Sequence, residues 1–200
     1  VNNKPRYFID LFAGCGGLSL GLERAGLTPV YVNELNKDAL STYLINREEE
    51  FPYLKDPRFH SQDIKDCMDD KFFSTLKRNL KKEHGSSEID LICGGPPCQG
   101  FSGIGIRRSY SVEKKHLPSN HLFEDMARFI HKMQPKAFLF ENVQGLLNSK
   151  WTKEGKKGEI FEQVLETFKG LSGYEVKHSL VYSKDYGVPQ NRPRIFLVGV

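Results

Sequence analysis

The residue most able to do covalent chemistry is a cysteine at a proline-framed corner. Cys98 directly follows Pro96 and Pro97. The two prolines fix φ and remove two amide donors, which holds the corner rigid and points the thiol outward. A free thiol has a pKa near ~8.5, so neighbouring cations or oriented amides must raise its thiolate fraction before it can act as a nucleophile. The alternative is a small buried apolar residue, which is our interpretation of Cys67 and Cys93.

A carboxylate and two arginines could complete such a site. Glu141 follows four apolar residues, so partial desolvation should raise its pKa and let it donate a proton near neutral pH. The alternative is a strand-end carboxylate that caps the next helix. Arg192 and Arg194 share one face if the chain is extended, and guanidinium groups suit planar oxygen acceptors and phosphates. A surface loop is the alternative interpretation of this pair.

A glycine-rich turn followed by an acid predicts a nucleoside site. The turn, Phe12–Gly17, reads F-A-G-C-G-G, follows the first predicted strand and opens a helix. Its glycines let backbone amides approach a ligand where a Cβ would clash. Glu34 lies 20 residues past Gly14, where a carboxylate can accept both ribose hydroxyls. A glycine-rich turn with no ligand is the alternative, and Cys15 either packs or lies beside the ligand.

Three further positions extend this site towards a base. Asp63, after the third predicted strand, could accept a hydrogen bond from an adenine amino group while Leu35 and Ile64 sandwich the ring. A dinucleotide fingerprint would need a third glycine where this chain has Ser19. Together with the Pro-Pro-Cys corner, this argues against a nicotinamide-dependent oxidoreductase.

Alternating strands and helices must position these residues. Apolar runs predict strands over 7–11, 29–33, 57–61, 89–93, 137–140, 176–182 and 195–200, and helices over 18–25, 37–47, 69–83, 122–133 and 160–171. Repeated β-α-β order predicts an α/β fold with a mostly parallel sheet, helices on both faces and an antiparallel closing strand. Ligands of such sheets bind beyond the carboxyl ends of the strands, where the corners 12–17, 94–98 and 141–145 should meet.

The composition predicts a soluble intracellular protein. Of 200 residues, 38% are hydrophobic and 18 are glycine, which suits an ordinary globular core. The four cysteines form no CxxC pair and no zinc-ligand spacing, so we expect neither a disulfide scaffold nor a metal. No apolar run approaches the ~18 residues of a membrane span. Residues 101–200 hold 16 Lys and Arg against 10 Asp and Glu, which hints at a phosphate-bearing partner.

Taken together, the motifs resemble those of the DNA (cytosine-5)-methyltransferase family of bacterial restriction-modification systems. The matching segments follow the family's order and run through almost the whole chain: Asp10–Gly21, Asn33–Glu34, Gln62–Ile64, Gly94–Ser102, Asn120–Phe123, Glu141–Val143, Gly145–Leu146 and Tyr186–Arg194. The resemblance implies a Rossmann-like catalytic domain over residues 1–200, dependent on S-adenosylmethionine (AdoMet). It also implies that the family's target-recognition domain and final segment are absent from this sequence, so these residues alone should methylate poorly and without sequence preference.

The resemblance assigns a role to each candidate residue. Cys98 would add to carbon 6 of a flipped-out cytosine while Glu141 protonates ring nitrogen 3. Arg194 would hold the carbonyl oxygen at position 2, and Arg192 the nearby backbone or the thiolate region. S-adenosylhomocysteine would be the product, and no metal is required. The implied cofactor-binding residues are Phe12, Gly14, Cys15, Gly16, Gly17, Leu18, Glu34, Leu35, Asp63, Ile64, Pro96 and Leu122.

Duplex DNA is the partner that the resemblance implies, and a cognate restriction endonuclease acting on the same site is a further candidate. We expect a monomer in the cytoplasm, associated with the nucleoid and not with a membrane. The loop 104–118, with Arg107, Arg108, Lys114 and Lys115, is the candidate lid over DNA; a disordered basic loop is the alternative. Two other functions stay open: methylation of transfer RNA by a lineage of the same family, and a catalytically silent paralogue that binds a partner.

Overall fold

The computed structural model describes residues 5–97, 118–152 and 154–200. Seven strands are present in these ranges: β1 Arg6–Leu11, β2 Leu27–Asn33, β3 His60–Ser61, β4 Leu91–Gly94, β5 Ala137–Val143, β6 Val176–Tyr182 and β7 Pro193–Gly199. Five α-helices accompany them in the same ranges: α1 Gly17–Arg24, α2 Lys37–Ile45, α3 Asp70–His84, α4 Leu122–Met133 and α5 Glu159–Lys169.

The strands form a seven-stranded sheet in the order β3-β2-β1-β4-β5-β7-β6. β1 pairs in parallel with β2 and β4, β2 pairs in parallel with β3, and β6 pairs with β7 antiparallel. The predicted α/β class, with a mostly parallel sheet and an antiparallel closing strand, is confirmed. By their contacts, the described residues divide into two compact units, one up to Gly94 with Arg128–Phe138 and one over 95–127 and 139–200.

In the first unit both faces of the sheet are covered. β1 ends in four consecutive buried residues and β2 in five. Because successive side chains of a strand point to opposite faces, such runs place apolar groups on both sides of the sheet. The ring of Phe129 stacks on that of Tyr31 with centroids 6.2 Å apart, and Phe73 of α3 meets Phe129 edge-on at 5.1 Å.

Pro29 lies at a bulge between β1 and β2. Phe8 is opposite Pro29 while Ile9 is opposite Tyr31, so Val30 is an extra residue in β2. Proline has no N–H for the ladder, and a bulge is one of the few positions inside a sheet that tolerates it. The bulge sets the register of the last three pairs of the two strands, which lead into the glycine turn.

Side-chain caps define where two helices of this unit begin. Asn36 accepts hydrogen bonds from the amides of Asp38 and Ala39 at the start of α2, and Asp69 accepts one from Phe72 at the start of α3. These caps satisfy amides that have no partner within the helix.

Among helices of the described ranges, none combines the length and apolar character that crossing a bilayer requires.

In the second unit, α5 covers one face of the β6–β7 hairpin. Ile195 and Leu197 are buried, whereas Val198 is exposed. His178 of β6 lies opposite Leu197 on the same face, and the ring of Phe161 on α5 meets that of His178 at 5.2 Å. The alternation is typical of a strand with one buried side.

Two strands extend further than the apolar pattern predicts. β5 continues to Val143 instead of ending at residue 140, and β7 begins at Pro193 instead of residue 195. The prediction placed each strand end at an apolar residue, but backbone pairing with neighbouring strands continues through polar side chains. Glu141 and Arg194 therefore lie within strands. β3 is shorter than predicted, and only His60–Ser61 pairs with β2.

Candidate active site

The glycine turn between β1 and α1 has left-handed backbone at three positions. Gly14 and Gly16 have φ of 57° and 87°, and Phe12 has φ of 58°. This conformation is rare for a bulky residue such as Phe12 and concentrates at functional sites. A Cβ at Gly16 would lie 2.5 Å from Arg47 Nη1 and 2.7 Å from the Tyr43 ring. Gly16 is therefore required by both its backbone and its surroundings.

Gly17 differs from Gly16 because the fold does not require it to be glycine. It has no positive φ, and among the described residues no atom lies within 4 Å of the position of a Cβ. The same open space surrounds Gly14. This side of the turn therefore leaves room for a ligand to approach the backbone, which fits a nucleoside-bearing cofactor.

Glu34, just after β2, is fixed to the glycine turn. Its Oε2 accepts a hydrogen bond from the Gly14 amide at 2.8 Å, and its Oε1 accepts one from the Asn36 amide at 2.7 Å. A carboxylate oxygen has two acceptor positions, so each oxygen can accept one further hydrogen bond. A carboxylate held in this way suits the two hydroxyls of a ribose.

The candidate base-binding residues of the first unit differ widely in exposure. Leu35 is 68% exposed, whereas Ile64 is 2% exposed, so Ile64 offers a ligand little surface. The Asp63 carboxylate caps a short 3-10 helix by accepting the Lys65 amide at 2.9 Å through Oδ1. The buried Asn33 amide donates to Ser61 Oγ and to the Gln62 carbonyl, which fixes the segment before Asp63. In the sequence, Asn33 stands out only as part of the Asn33–Glu34 motif.

A buried polar group that the sequence motifs do not predict lies under the glycine turn. Ser19 Oγ donates to Asp10 Oδ2 at 2.5 Å and lies 2.8 Å from Tyr43 OH. Burial raises the pKa of Asp10 to about 6 although the bond from Ser19 lowers it. The signal in the sequence was an acid inside an otherwise apolar strand. Ser19, which breaks the dinucleotide fingerprint, thus binds the acid of β1.

In the second unit, two consecutive residues of β5 contact the corner that leads to Cys98. Asn142 Nδ2 donates to the Pro96 carbonyl at 3.1 Å. A Cβ at Gly95 would lie 2.7 Å from Glu141 Oε2, so only glycine lets the corner approach the carboxylate this closely. Gly95 and Asn142 were not singled out individually from the sequence. Pro96 is buried and Pro97 is exposed, whereas Cys98 lies outside the described residues.

Glu141 forms an ion pair with Arg194 inside the second unit. Arg194 Nε lies 2.6 Å from Glu141 Oε1, and the side chains are 20% and 26% exposed. Burial raises the pKa of Glu141, although the charges of Arg194 and Arg192 and the hydrogen bond from Arg194 all oppose the shift. A carboxyl group with a raised pKa beside a guanidinium can donate a proton while a cation stabilises negative charge nearby.

Arg192 lies in the turn 183–192 that joins β6 to β7, and it is exposed. Ser183 closes this turn: its Oγ donates to the Gln190 carbonyl at 2.5 Å and accepts from the Arg192 amide at 3.2 Å. Arg192 is therefore held through its backbone, and its side chain acts on Glu141 through charge.

The described candidate residues fall into the two units. The first contains Phe12, Gly14, Cys15, Gly16, Gly17, Leu18, Glu34, Leu35, Asp63 and Ile64, and the second contains Pro96, Leu122, Glu141, Arg192 and Arg194. Cys15 is exposed, and Cys67 and Cys93 are buried as predicted. The loop 104–118 lies outside the described residues except for the backbone of its last position. The described side chains include no cluster of three or more His, Cys, Asp or Glu residues that could bind a metal.

Comparison with known proteins identifies the family. Residues 7–200 match the family described as C-5 cytosine-specific DNA methylase. The chain belongs to this family. Among curated relatives, the Type II methyltransferase M1.HphI of Haemophilus parahaemolyticus is 36% identical over 193 residues, which cover 96% of this chain and 45% of that protein. M.NgoPII of Neisseria gonorrhoeae is 36% identical over 198 residues, covering 98% and 48%.

Solved structures of methyltransferases share the fold of this chain. A protein described as a DNA modification methyltransferase encoded within a prophage (E. coli) is 31% identical with a TM-score of 0.68, covering 98% of this chain and 46% of that one. The S. pombe Dnmt2 methyltransferase shares the fold. It is 20% identical with a TM-score of 0.55, over 98% of this chain and 49% of that one. The chain therefore spans just under half the length of each of these methyltransferases.

Proposed function

We propose that this chain contains the cofactor-binding and catalytic residues of an enzyme that methylates carbon 5 of cytosine in duplex DNA. The observation that carries the proposal is the setting of Glu141, whose carboxylate lies against Gly95 of the corner before Cys98 and beside Arg194. Burial raises its pKa, as a proton donor requires. Membership of the methylase family supplies the substrate class.

AdoMet would supply an electrophilic methyl group when bound. Glu34 would accept the two ribose hydroxyls through the positions left on its oxygens, and the open side of Gly14 and Gly17 would receive the rest of the donor. Asp63 would accept a bond from the adenine amino group through its second oxygen, with exposed Leu35 against the ring. These residues bind and orient the donor, and none of them takes part in the transfer itself.

The chemical step needs a nucleophile because carbon 5 of cytosine is unreactive by itself. The Cys98 thiolate forms a bond to carbon 6, and Glu141 transfers its proton to ring nitrogen 3. The resulting enamine would accept the methyl group at carbon 5 as the bond from that methyl to the donor sulfur breaks, and S-adenosylhomocysteine would leave. A base then removes the carbon 5 proton, the bond to Cys98 breaks with return of the thiolate, and Glu141 recovers its proton. Arg194 would hold the oxygen at position 2 throughout, and exposed Arg192 the nearby backbone or the thiolate region.

The partner is duplex DNA from which the target base is flipped. Flipping requires a few kcal/mol, which binding of the base in the pocket must offset. The loop 104–118, with its four basic residues, is our candidate for the segment that closes over DNA. Because the two curated relatives carry Type II names, we further propose that a restriction endonuclease recognises the same site, and that the enzyme acts as a monomer.

Trapping with a mechanism-based substrate tests this proposal. The complete protein is incubated with AdoMet and duplex DNA that contains 5-fluorocytosine, whose fluorine cannot leave as a proton does. We expect a covalent protein–DNA adduct that survives denaturation and is lost in Cys98→Ser. Cys67→Ala, at a buried cysteine that takes no part in the proposed reaction, should still form the adduct.

The same assay separates the other two functions. A transfer RNA that contains 5-fluorocytosine, offered in place of DNA, should give no adduct, and an adduct with this transfer RNA alone would assign the chain to the RNA-methylating lineage. Failure of both nucleic acids to form an adduct, with intact AdoMet binding, would favour a silent binding paralogue.

A further inference from the structure

Arg47 is a buried cation that the proposed chemistry does not use. It follows the end of α2 and is 5% exposed, although arginine is rarely buried unless it is paired. Its Nε lies 2.6 Å from Glu23 Oε1 of α1, and the Glu23 side chain is 12% exposed. The pair therefore joins α1 to the segment that follows α2, in a largely dry environment.

The rest of the guanidinium is directed at backbone. Arg47 Nη2 donates to the Gly16 carbonyl at 3.0 Å, and Nη1 donates to the Tyr43 carbonyl at 3.3 Å. The Arg47 Cζ also lies 3.9 Å from the centre of the Tyr43 ring. Four contacts thus fix its orientation, and one of them is to the glycine turn.

The Gly16 carbonyl belongs to the peptide unit that opens α1. Gly16 is the N-cap residue, with φ of 87° and ψ of 31°, and no side chain caps this helix. Because a peptide unit is planar, fixing the Gly16 carbonyl also fixes the N–H of Gly17. That N–H is one of the first amides of α1, which have no partner within the helix, and the space beside Gly17 where a Cβ would lie is open.

We propose that Arg47 is a positioning residue for the methyl donor: by holding the Gly16 carbonyl, it keeps the Gly17 amide oriented towards the bound cofactor. This inference rests on the proposed use of AdoMet. Glu23 supports Arg47 by holding the guanidinium, because without Glu23 a charge would be buried unpaired. Lysine cannot replace Arg47 in this position, since one ammonium cannot reach Glu23 and both carbonyls in a fixed fork.

Titration of the complete protein with S-adenosylhomocysteine in a calorimeter tests the inference, with no turnover required. We expect Arg47→Lys to weaken binding roughly tenfold, because one charge-assisted hydrogen bond to the turn is lost. The KM for AdoMet should rise by a similar factor while the KM for DNA and kcat stay within about twofold, since the binding of the base is untouched. Arg24→Lys, at an exposed arginine of α1, is the matched control and should bind like wild type.

A purely structural role would give a different result. Arg47→Met removes the charge and keeps the apolar stem, so near-ultraviolet circular dichroism and the melting temperature of each variant without ligand report whether the fold survives. Wild-type affinity in Arg47→Lys, or a loss of affinity that only follows the loss of folded protein, would overturn the inference. If wild type itself does not bind S-adenosylhomocysteine, the proposed function fails first and this inference fails with it.

Discussion

Glu141 is the described side chain on which the proposed reaction depends most directly. Its pKa is raised by burial and lowered by the neighbouring arginines, and the net shift favours the protonated form. Arg194, 2.6 Å away, limits this shift, so the carboxyl group can still ionise. The pKa of Glu141 and the orientation of its carboxyl group depend on both residues, so a substitution at either position should change them.

At this scale we expect Glu141→Gln to retain cofactor binding and lose catalysis. Glutamine preserves the shape and an acceptor for Arg194 but cannot transfer a proton, so kcat should fall by about 100- to 10,000-fold, the usual contribution of a general acid. Single-turnover methylation of DNA measures this loss, and calorimetry with S-adenosylhomocysteine serves as the control. A kcat within tenfold of wild type would remove Glu141 from the reaction.

Asp10 predicts a pH-dependent stability. Its native pKa of about 6 exceeds the unfolded value near ~3.9, so the native state holds a proton that the unfolded state releases. The free energy of unfolding should therefore fall as pH rises from about 4 to about 6, by up to about 3 kcal/mol from this group, and stay low above that range.

Asp10→Asn should abolish this contribution, because asparagine still accepts from Ser19 and does not titrate. Urea denaturation at pH 5 and pH 7 gives the free energy of unfolding of both proteins, and the change between the two pH values is then compared. Asp185→Asn, which removes one exposed carboxylate, controls for net charge. Equal pH dependence in wild type and Asp10→Asn would contradict the assignment.

At the scale of the elements, the approach of β5 to the Gly95 corner determines how the acid is placed. A methyl group at Gly95 would meet Glu141 Oε2, the mobile end of a side chain, so Gly95→Ala should fold and displace the carboxylate. We expect kcat to fall by at least about tenfold, the behaviour of a misplaced catalytic group, with a small change in melting temperature.

Gly21→Ala is the matched control for that variant. Gly21 is in α1, where no described atom lies within 4 Å of a Cβ, so alanine should stabilise the helix by about 0.5–1 kcal/mol and leave kcat unchanged. Wild-type kcat in Gly95→Ala would show that the close approach has no catalytic role.

Local pattern predicted most elements, and tertiary contacts account for what it missed. Apolar runs and turn residues predicted every strand and α-helix of the described ranges to within a few residues, but none of the short 3-10 helices. The prediction ended β5 at residue 140 because the polar residues that follow, Glu141 and Asn142, carry no strand signal of their own. The contacts of Arg47 with Gly16 and Glu23 span 31 and 24 residues, so no local pattern reports them. The cofactor-site residues were found through motif and spacing, and their roles stay predictions.

At the scale of the whole molecule, length is the main consideration. The chain spans 45% and 48% of the two curated relatives named above, so we expect these 200 residues alone to methylate DNA slowly and without sequence preference. Labelled AdoMet with duplexes of differing sequence, compared between these residues and the complete protein, measures both properties. Rapid, site-specific methylation by the 200 residues would contradict this expectation.

The length of the turn 183–192 determines on which face of the β6–β7 hairpin the guanidinium of Arg194 lies. The pairing of β6 with β7 places Arg194 opposite Val181. Since a slip of one residue turns every side chain of a strand to the other face, inserting or deleting a single residue here could carry that positive charge away from its carboxylate without changing any residue of the pair. The length of an exposed connection thus becomes a determinant of proton transfer, and this loop should tolerate substitutions far better than changes in length.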